Sequence, residues 1–367
     1  MAPSKLPSAD NTRGLLSVLI ARFSAFGDVA MTIPVVYSAC RCYPDVQFVL
    51  VTRPAMTSMF VNAPRNLTVI GADINDRYAG AAGLYRLVDE LHREYRFDAF
   101  VDLHDVLRTR VMGLVCRLKG IRVSRLNKGR SHKRALTRRR NKVMLPLTSQ
   151  RSRYREAFFK AGLPLTERFD GLFGGRATAD PALFAKITAP KPAGRRWVGI
   201  APFAAHTGKI YPPDMMMEVV NRLAAEPDTD IFLLGGGGKE AEITASWAAH
   251  HPNVHSLAGQ RYGFAAELAL FNHFDAMLTM DSANMHLASI AGTPVVSIWG
   301  ATHPYCGFKG WRQSEADMIQ LPMTCRPCSV FGNKPCHRGD YMCLTGIKPD
   351  VIVEKVLKKL NRHDDNA

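Results

Sequence analysis

Leu15-Leu16-Ser17-Val18-Leu19-Ile20-Ala21-Arg22-Phe23-Ser24-Ala25-Phe26-Gly27-Asp28 is an apolar run that ends in a turn of small residues and a carboxylate. The run is too short for the apolar centre of a secretory leader and has the length of a strand buried on both faces. Gly27 permits a tight turn or the close approach of a substrate. Asp28 stands where a helix over 28–42 is expected to begin. A buried strand feeding a helix through such a turn is the first half of a parallel β-α-β unit.

Working outward, the same alternation continues. Strands are expected at 15–23, 47–51, 67–70, 99–103 and 121–124, with helices over 28–42, 54–61, 81–95 and 106–118 between them. Residues 127–141 have little apolar periodicity and are expected to form a loop, and a helix follows over 153–161. A stretch rich in Gly, Pro and Ala from 163 to 194 comes next, with the interdomain linker placed at 179–194. The rhythm then restarts: strands at 197–201, 231–234, 254–256, 276–280 and 295–298, helices from 213, over 240–249, 264–271 and 283–291, and an amphipathic helix over 349–360 at the end. A chain of 367 residues accommodates two domains. The expected fold is α/β, with two similar nucleotide-binding-type halves at 1–185 and 186–367 and the active site in a cleft between them.

The chain is 47% hydrophobic and carries a formal net charge of +16. Its positive charge is local. Residues 106–155 contain seventeen Lys and Arg and no Asp or Glu, which leaves 31 basic against 32 acidic residues elsewhere. A run of one sign attracts polyanions: nucleic acid, anionic lipid headgroups, or a phosphorylated or acidic sugar. A solvated basic loop is the alternative. No stretch has the ~18 continuous apolar residues of a membrane-spanning helix. Residues 1–14 are polar and small, so a cytoplasmic protein is expected.

Four constellations can carry chemistry. In the turn Arg22-Phe23-Ser24-Ala25-Phe26-Gly27-Asp28, Asp28 is either a helix cap or a general base for an acceptor hydroxyl. In Thr279-Met280-Asp281-Ser282-Ala283-Asn284-Met285-His286, small residues open a helix whose free N–H groups suit a diphosphate. There Asp281 can take a ribose or sugar hydroxyl, and His286 is a ligand-facing or a packing histidine. Lys209, in the loop after strand 197–201, can neutralise a diphosphate leaving group, or be an ordinary surface lysine. The glycines 235–238 form another loop at the same sheet edge, lacking the spacing of an ATPase phosphate loop. Finally, Cys325-x2-Cys328-x7-Cys336-x6-Cys343 can hold a tetrahedral structural zinc or be four reduced thiols that shape a loop.

In combination these stretches resemble glycosyltransferase family 9, the ADP-heptose:lipopolysaccharide heptosyltransferases. The turn at Arg22 to Asp28, the Lys209 loop, the Gly235 loop, Leu257-Ala258-Gly259, the run from Asp281 to Ala288, Gly292-Thr293-Pro294 and Trp299-Gly300-Ala301-Thr302-His303-Pro304 follow that family's order. The resemblance implies a GT-B fold of two Rossmann-like domains and an inverting transfer that needs no metal or other cofactor. The donor it implies is a nucleotide sugar, typically ADP-heptose, and the acceptor is the lipopolysaccharide inner core. On that resemblance Asp28 is the general base, Lys209 faces the donor phosphates, and Asp281, Ser282, Ala283, Asn284 and His286 hold the nucleotide sugar. Glu240 matches a position that contacts the adenosine ribose in some members. Ser24 and Gly27 fall on the acceptor side.

The basic segment is assigned to the N-terminal half, where Arg138, Arg139 and Arg140 are expected to meet an anionic glycolipid acceptor, with the inner-membrane surface close by. Two other classes are a basic nucleic-acid-binding protein and a non-catalytic nucleotide-sugar binder. Aromatics are nearly absent from the basic run, only Tyr154 standing in it, and no zinc-finger or RRM pattern is present, so no nucleic-acid partner is expected.

Overall fold

The computed structural model describes residues 16–364, and what was inferred for residues 1–14 lies outside them. Contacts divide the chain into two compact units. One comprises Met1–Gly129 with Thr148–Phe169, the other Arg130–Leu147 with Asp170–Ala367.

The first unit begins β1 (Ser17–Ala21), α1 (Phe26–Ala30), α2 (Ile33–Cys42), β2 (Gln47–Thr52), β3 (Leu67–Gly71), α3 (Gly80–Tyr95), β4 (Ala99–Asp102), α4 (Leu107–Leu118) and β5 (Arg122–Arg125). The helix expected over 28–42 is two helices. Pro34 lacks an N–H and so starts α2 rather than continuing α1. The strands form one parallel sheet in the order β3-β2-β1-β4-β5, with Val18 against Phe48 on one side and Ala99 on the other. Leu84, Leu87, Val88 and Leu91 of α3 recur at helical spacing and are buried in the core of this unit.

The chain then enters the second unit as α5 (Arg130–Thr137) and returns to the first as α6 (Gln150–Lys160). This corrects two expectations. Residues 127–141 are not a plain loop, and the basic segment does not belong to one half. Tertiary contacts hold α5 where periodicity is absent: Leu136 is fully buried, and Lys133 lies 4.9 Å from the ring centre of Phe308. Beyond it, Lys142 Nζ donates to the carbonyls of Cys325 and Pro327, and Leu147 N–H donates to Tyr305 O. Arg138, Arg139 and Arg140 therefore belong to the second unit, where they are exposed.

The second unit continues with β6 (Arg196–Ala201), α7 (Pro213–Ala224), β7 (Thr229–Leu233), α8 (Lys239–Ala248), β8 (Val254–Ser256), α9 (Phe264–Asn272), β9 (Ala276–Met280), α10 (Ala283–Ala291), β10 (Val295–Ile298), β11 (Met318–Ile319), α11 (Met342–Thr345) and α12 (Pro349–Asp364). Its sheet is parallel, in the order β11-β10-β9-β6-β7-β8. Residues 170–185 join it, although the linker was placed at 179–194. One side chain explains much of this. Asn272 Oδ1 accepts from Thr178 N at 2.8 Å and Ala179 N at 2.9 Å, while its Nδ2 donates to Gly175 O and Ala291 O. A stretch of backbone satisfied in this way is packed structure rather than a hinge.

Candidate functional site

In an open parallel sheet, the place where the strand order reverses leaves a crevice beyond the carboxyl ends of the two central strands. The reversal falls between β1 and β4 in the first sheet, and between β6 and β9 in the second. The segments that follow these four strands are those around Asp28, His104, Lys209 and Asp281.

In the first unit the Arg22 guanidinium, only 6% exposed, meets Asp28 Oδ2 at 2.8 Å and donates to Leu103 O at 2.7 Å. Asp28 is itself a quarter exposed. Tyr154 OH donates to the Asp28 carbonyl at 3.2 Å, which ties α6 to this turn. The carboxylate is thus fixed by a buried cation and open to solvent on another side. Ser24 and Gly27 flank it, both part-exposed.

His104 was not anticipated. It lies two residues beyond β4, with Phe23 N–H directed at its Nδ1 (3.5 Å) and Ser24 Oγ 3.3 Å from its Nε2. With Nδ1 accepting, the ring proton sits on Nε2 and donates to Ser24. Asp102 Oδ1 shapes the turn by accepting from His104 N (2.9 Å) and Asp105 N (2.8 Å), while burial raises the Asp102 pKa. Burial, with Arg22, Lys128, Arg53 and Arg108 nearby, depresses the His104 pKa from 6.5 to about 3. The imidazole is neutral at physiological pH and so acts as a hydrogen-bond donor.

That depression has a signed consequence. As pH falls below 6.5 the unfolded chain takes up a proton that the folded chain refuses until about 3, so stability is lost progressively across that window. The expected contribution at pH 5 is a loss of about 2 kcal/mol relative to pH 7. Urea midpoints at the two pH values should show it, and His104→Gln should shrink the difference. An unchanged difference would show that the ring is hydrated and ordinary.

In the second unit Lys209 Nζ stands 2.9 Å from Asp281 Oδ2, with the two side chains 16% and 4% exposed. Two residues proposed separately from sequence are thus one ion pair across the strand-order reversal. It is a charge contact rather than a well-aligned hydrogen bond. The Lys209 loop is pressed close to its neighbours. Gly208 O accepts from Ala301 N at 2.8 Å, and a Cβ on Gly300 would lie 2.6 Å from that same Gly208 O. Ser282, Ala283 and Asn284 open α10 and are part-exposed, whereas His286 is buried one turn further along. Glu240 Oε2 accepts from Gly236 N at 2.7 Å and so folds the glycine loop back on α8.

The loops of the second unit rest on a residue that sequence reasoning missed. Arg326 is 2% exposed and pairs with no carboxylate among the described residues. Its guanidinium donates to the carbonyls of Trp299 (3.0 Å), Thr302 (2.9 Å), Gly300 and Leu321, and to Gln320 Oε1 (3.1 Å). Burial lowers its pKa from the usual 12.5. The thiols of Cys325, Cys328, Cys336 and Cys343 are free, and the first three act electrostatically on Cys343. No three metal-binding side chains converge on a common point among the described residues.

The profile of "Glycosyltransferase family 9 (heptosyltransferase)" matches residues 84–335, from within α3 to just before Cys336. The chain belongs to glycosyltransferase family 9. It is a glycosyltransferase, with the α/β architecture of the GT-B class. The lipopolysaccharide heptosyltransferase 3 of Escherichia coli is 25% identical over 307 residues, covering 80% of this chain and 85% of that protein. The lipooligosaccharide heptosyltransferase 2 of Campylobacter jejuni is 27% identical over 84 residues, a stretch that spans 23% of this chain and 25% of that relative. The solved structure of the E. coli ADP-heptose lps heptosyltransferase II superposes with a TM-score of 0.68 at 17% identity, over 95% of this chain and all of that one.

Proposed function

We propose that this family 9 member transfers heptose with inversion from ADP-heptose to the inner core of lipopolysaccharide, using Asp28 as general base. The carrying observation is the pair of sheet-edge constellations: a carboxylate fixed by a buried arginine in one unit, and a lysine with an open helix N-terminus in the other. In the proposed step an acceptor hydroxyl oxygen attacks the anomeric carbon and passes its proton to Asp28. The bond from that carbon to the diphosphate oxygen breaks, and its electron pair leaves with ADP. Lys209 and the first N–H groups of α10 meet the charge that develops on the diphosphate. Ser24, oriented by His104, and Gly27 contact the acceptor. Asp281, Ser282, Ala283, Asn284 and Glu240 contact the nucleotide sugar, and buried His286 supports that turn from behind. Arg138, Arg139 and Arg140 remain the proposed anchor for acceptor phosphates or acidic sugars. The protein would work at the cytoplasmic face of the inner membrane, in peripheral contact with it.

The test is transfer to a heptose-deficient core acceptor, followed as ADP release and acceptor mass. ADP-heptose should support transfer, with EDTA present, and ADP should raise the melting temperature. Failure of ADP-heptose, with another nucleotide sugar succeeding, would overturn the donor assignment. Arg138→Gln/Arg139→Gln/Arg140→Gln should raise the acceptor KM and leave ADP affinity unchanged; unaltered acceptor kinetics would remove these arginines from the site. We also propose, from sequence spacing alone, a structural zinc on Cys325, Cys328, Cys336 and Cys343, which would have to draw together thiols that do not converge on a common point among the described residues. Metal analysis of the same preparation decides that point: one equivalent, lost in Cys328→Ser, supports it, and a metal-free folded protein refutes it.

A further inference from the structure

The outward face of α4 does not look like a face built for water. Leu107, Leu114 and Leu118 are 78%, 54% and 80% exposed. At about 100° per residue they fall within about 40° of one another on the helix. The opposite face already does the packing: Met112, Val115 and Cys116 are buried in the core, and Gly113 lies against Phe100 and Val123. The leucines are therefore not a displaced core stripe. Single exposed leucines are ordinary, but an aligned row on one helix is a patch.

Cations flank that row. Arg110 and Arg117 fall on one side of it and Arg108 and Lys119 on the other. Arg110 is held by Asp105 at 2.9 Å and Lys119 by Asp89 at 2.8 Å, while Arg108 and Arg117 make no ion pair among the described residues. Leucines along the middle with long cations at the margins match a lipid surface. The apolar row enters the boundary between headgroups and acyl chains, and the cations reach lipid phosphates. No Asp or Glu lies in α4 itself or elsewhere from 106 to 155, and the two carboxylates beside the helix, Asp105 and Asp89, are paired with Arg110 and Lys119.

We propose that α4 docks the first unit on an anionic membrane surface, with Leu107, Leu114 and Leu118 inserted and Arg108 and Arg117 on phosphates. This rests on the peripheral membrane contact proposed above and assigns the surface that makes it.

The test is co-sedimentation of the whole protein with vesicles of phosphatidylglycerol and phosphatidylethanolamine, beside vesicles of phosphatidylcholine alone. Wild-type protein should partition onto the anionic vesicles and release as salt rises. Leu107→Gln/Leu114→Gln/Leu118→Gln should weaken partitioning roughly tenfold or more, with an unchanged melting temperature because these side chains are solvated. Arg108→Gln/Arg117→Gln should weaken binding and flatten its salt dependence. Transfer to a lipid-free core oligosaccharide should be unaffected by the leucine changes. A wild type that binds anionic vesicles yet transfers no heptose would sink the enzymatic assignment and leave the docking surface standing. Wild-type-like partitioning of the triple-leucine variant would overturn the docking surface. So would indifference of the wild type to anionic vesicles, or a triple variant whose light-scattering mass falls from dimer to monomer.

Discussion

Asp28→Asn is expected to lower kcat by about 10²- to 10⁴-fold, the range that a positioned proton acceptor contributes. Asparagine keeps the shape and can still accept from Arg22, so the turn should persist, but its amide cannot take the acceptor proton. ADP affinity should be unchanged, because the residues proposed to hold the nucleotide belong to the other unit. The measurement is kcat and KM for both substrates, together with ADP binding by calorimetry. A variant that turns over within about tenfold of the wild type would remove Asp28 as the base. His104 would not replace it, since its Nδ1 faces Phe23 N–H and its pKa lies at about 3.

The largest effect on stability is expected at Arg326. Arg326→Met fills much of the same space but leaves the carbonyls of Trp299, Gly300, Leu321 and Thr302 without their donor. Removing the partner of buried groups costs more than the net worth of the hydrogen bonds, and about 3–5 kcal/mol is expected here. In a unit of this size that corresponds to a fall in Tm on the order of 10 °C. Lysine is a poor substitute, because one ammonium cannot reproduce the planar fork that reaches several carbonyls at once. Calorimetry of Arg326→Met and Arg326→Lys checks this, and a loss below about 1 kcal/mol for both would show that the loop is held by something else. ADP binding should weaken in parallel, since the carbonyl of Gly300 is one of the groups Arg326 holds and Ala301 bonds to the Lys209 loop.

Both sheets were legible from sequence because their central strands are largely apolar: 17–21, 47–52, 196–201 and 276–280 stand out without any pairing information. The turns after them were legible for the same reason, since a run of small residues after a buried strand has few other uses. The pairing of Lys209 with Asp281 was not, because 71 residues separate them and only the order of the sheet makes their loops neighbours. His104 was missed although its strand was found. Its significance depends on β4 lying next to β1, and a lone histidine two residues past a strand carries no period of its own. The helix α5 is polar almost throughout, so its form is set by Leu136, Phe308 and the carbonyls that hold Lys142 rather than by local pattern. Arg326 was hidden because the carbonyls it bridges, from Trp299 to Thr302 and at Leu321, are brought to it by the fold. The cause common to these omissions is long-range contact, which leaves no mark on a window of ten residues.

The Lys209–Asp281 contact also has a consequence for inhibition. The Lys209 ammonium already stands 2.9 Å from a carboxylate oxygen before any ligand arrives, as a charge contact that leaves its hydrogens to be aimed elsewhere. The pair is close to neutral as a unit, so it offers little long-range pull to an anion in solution and much directionality once the anion is in place. Compounds that rely on bulk negative charge should gain little there. Those that place acceptor oxygens against the ammonium and the first N–H groups of α10 together should discriminate this site from a lysine with no carboxylate beside it.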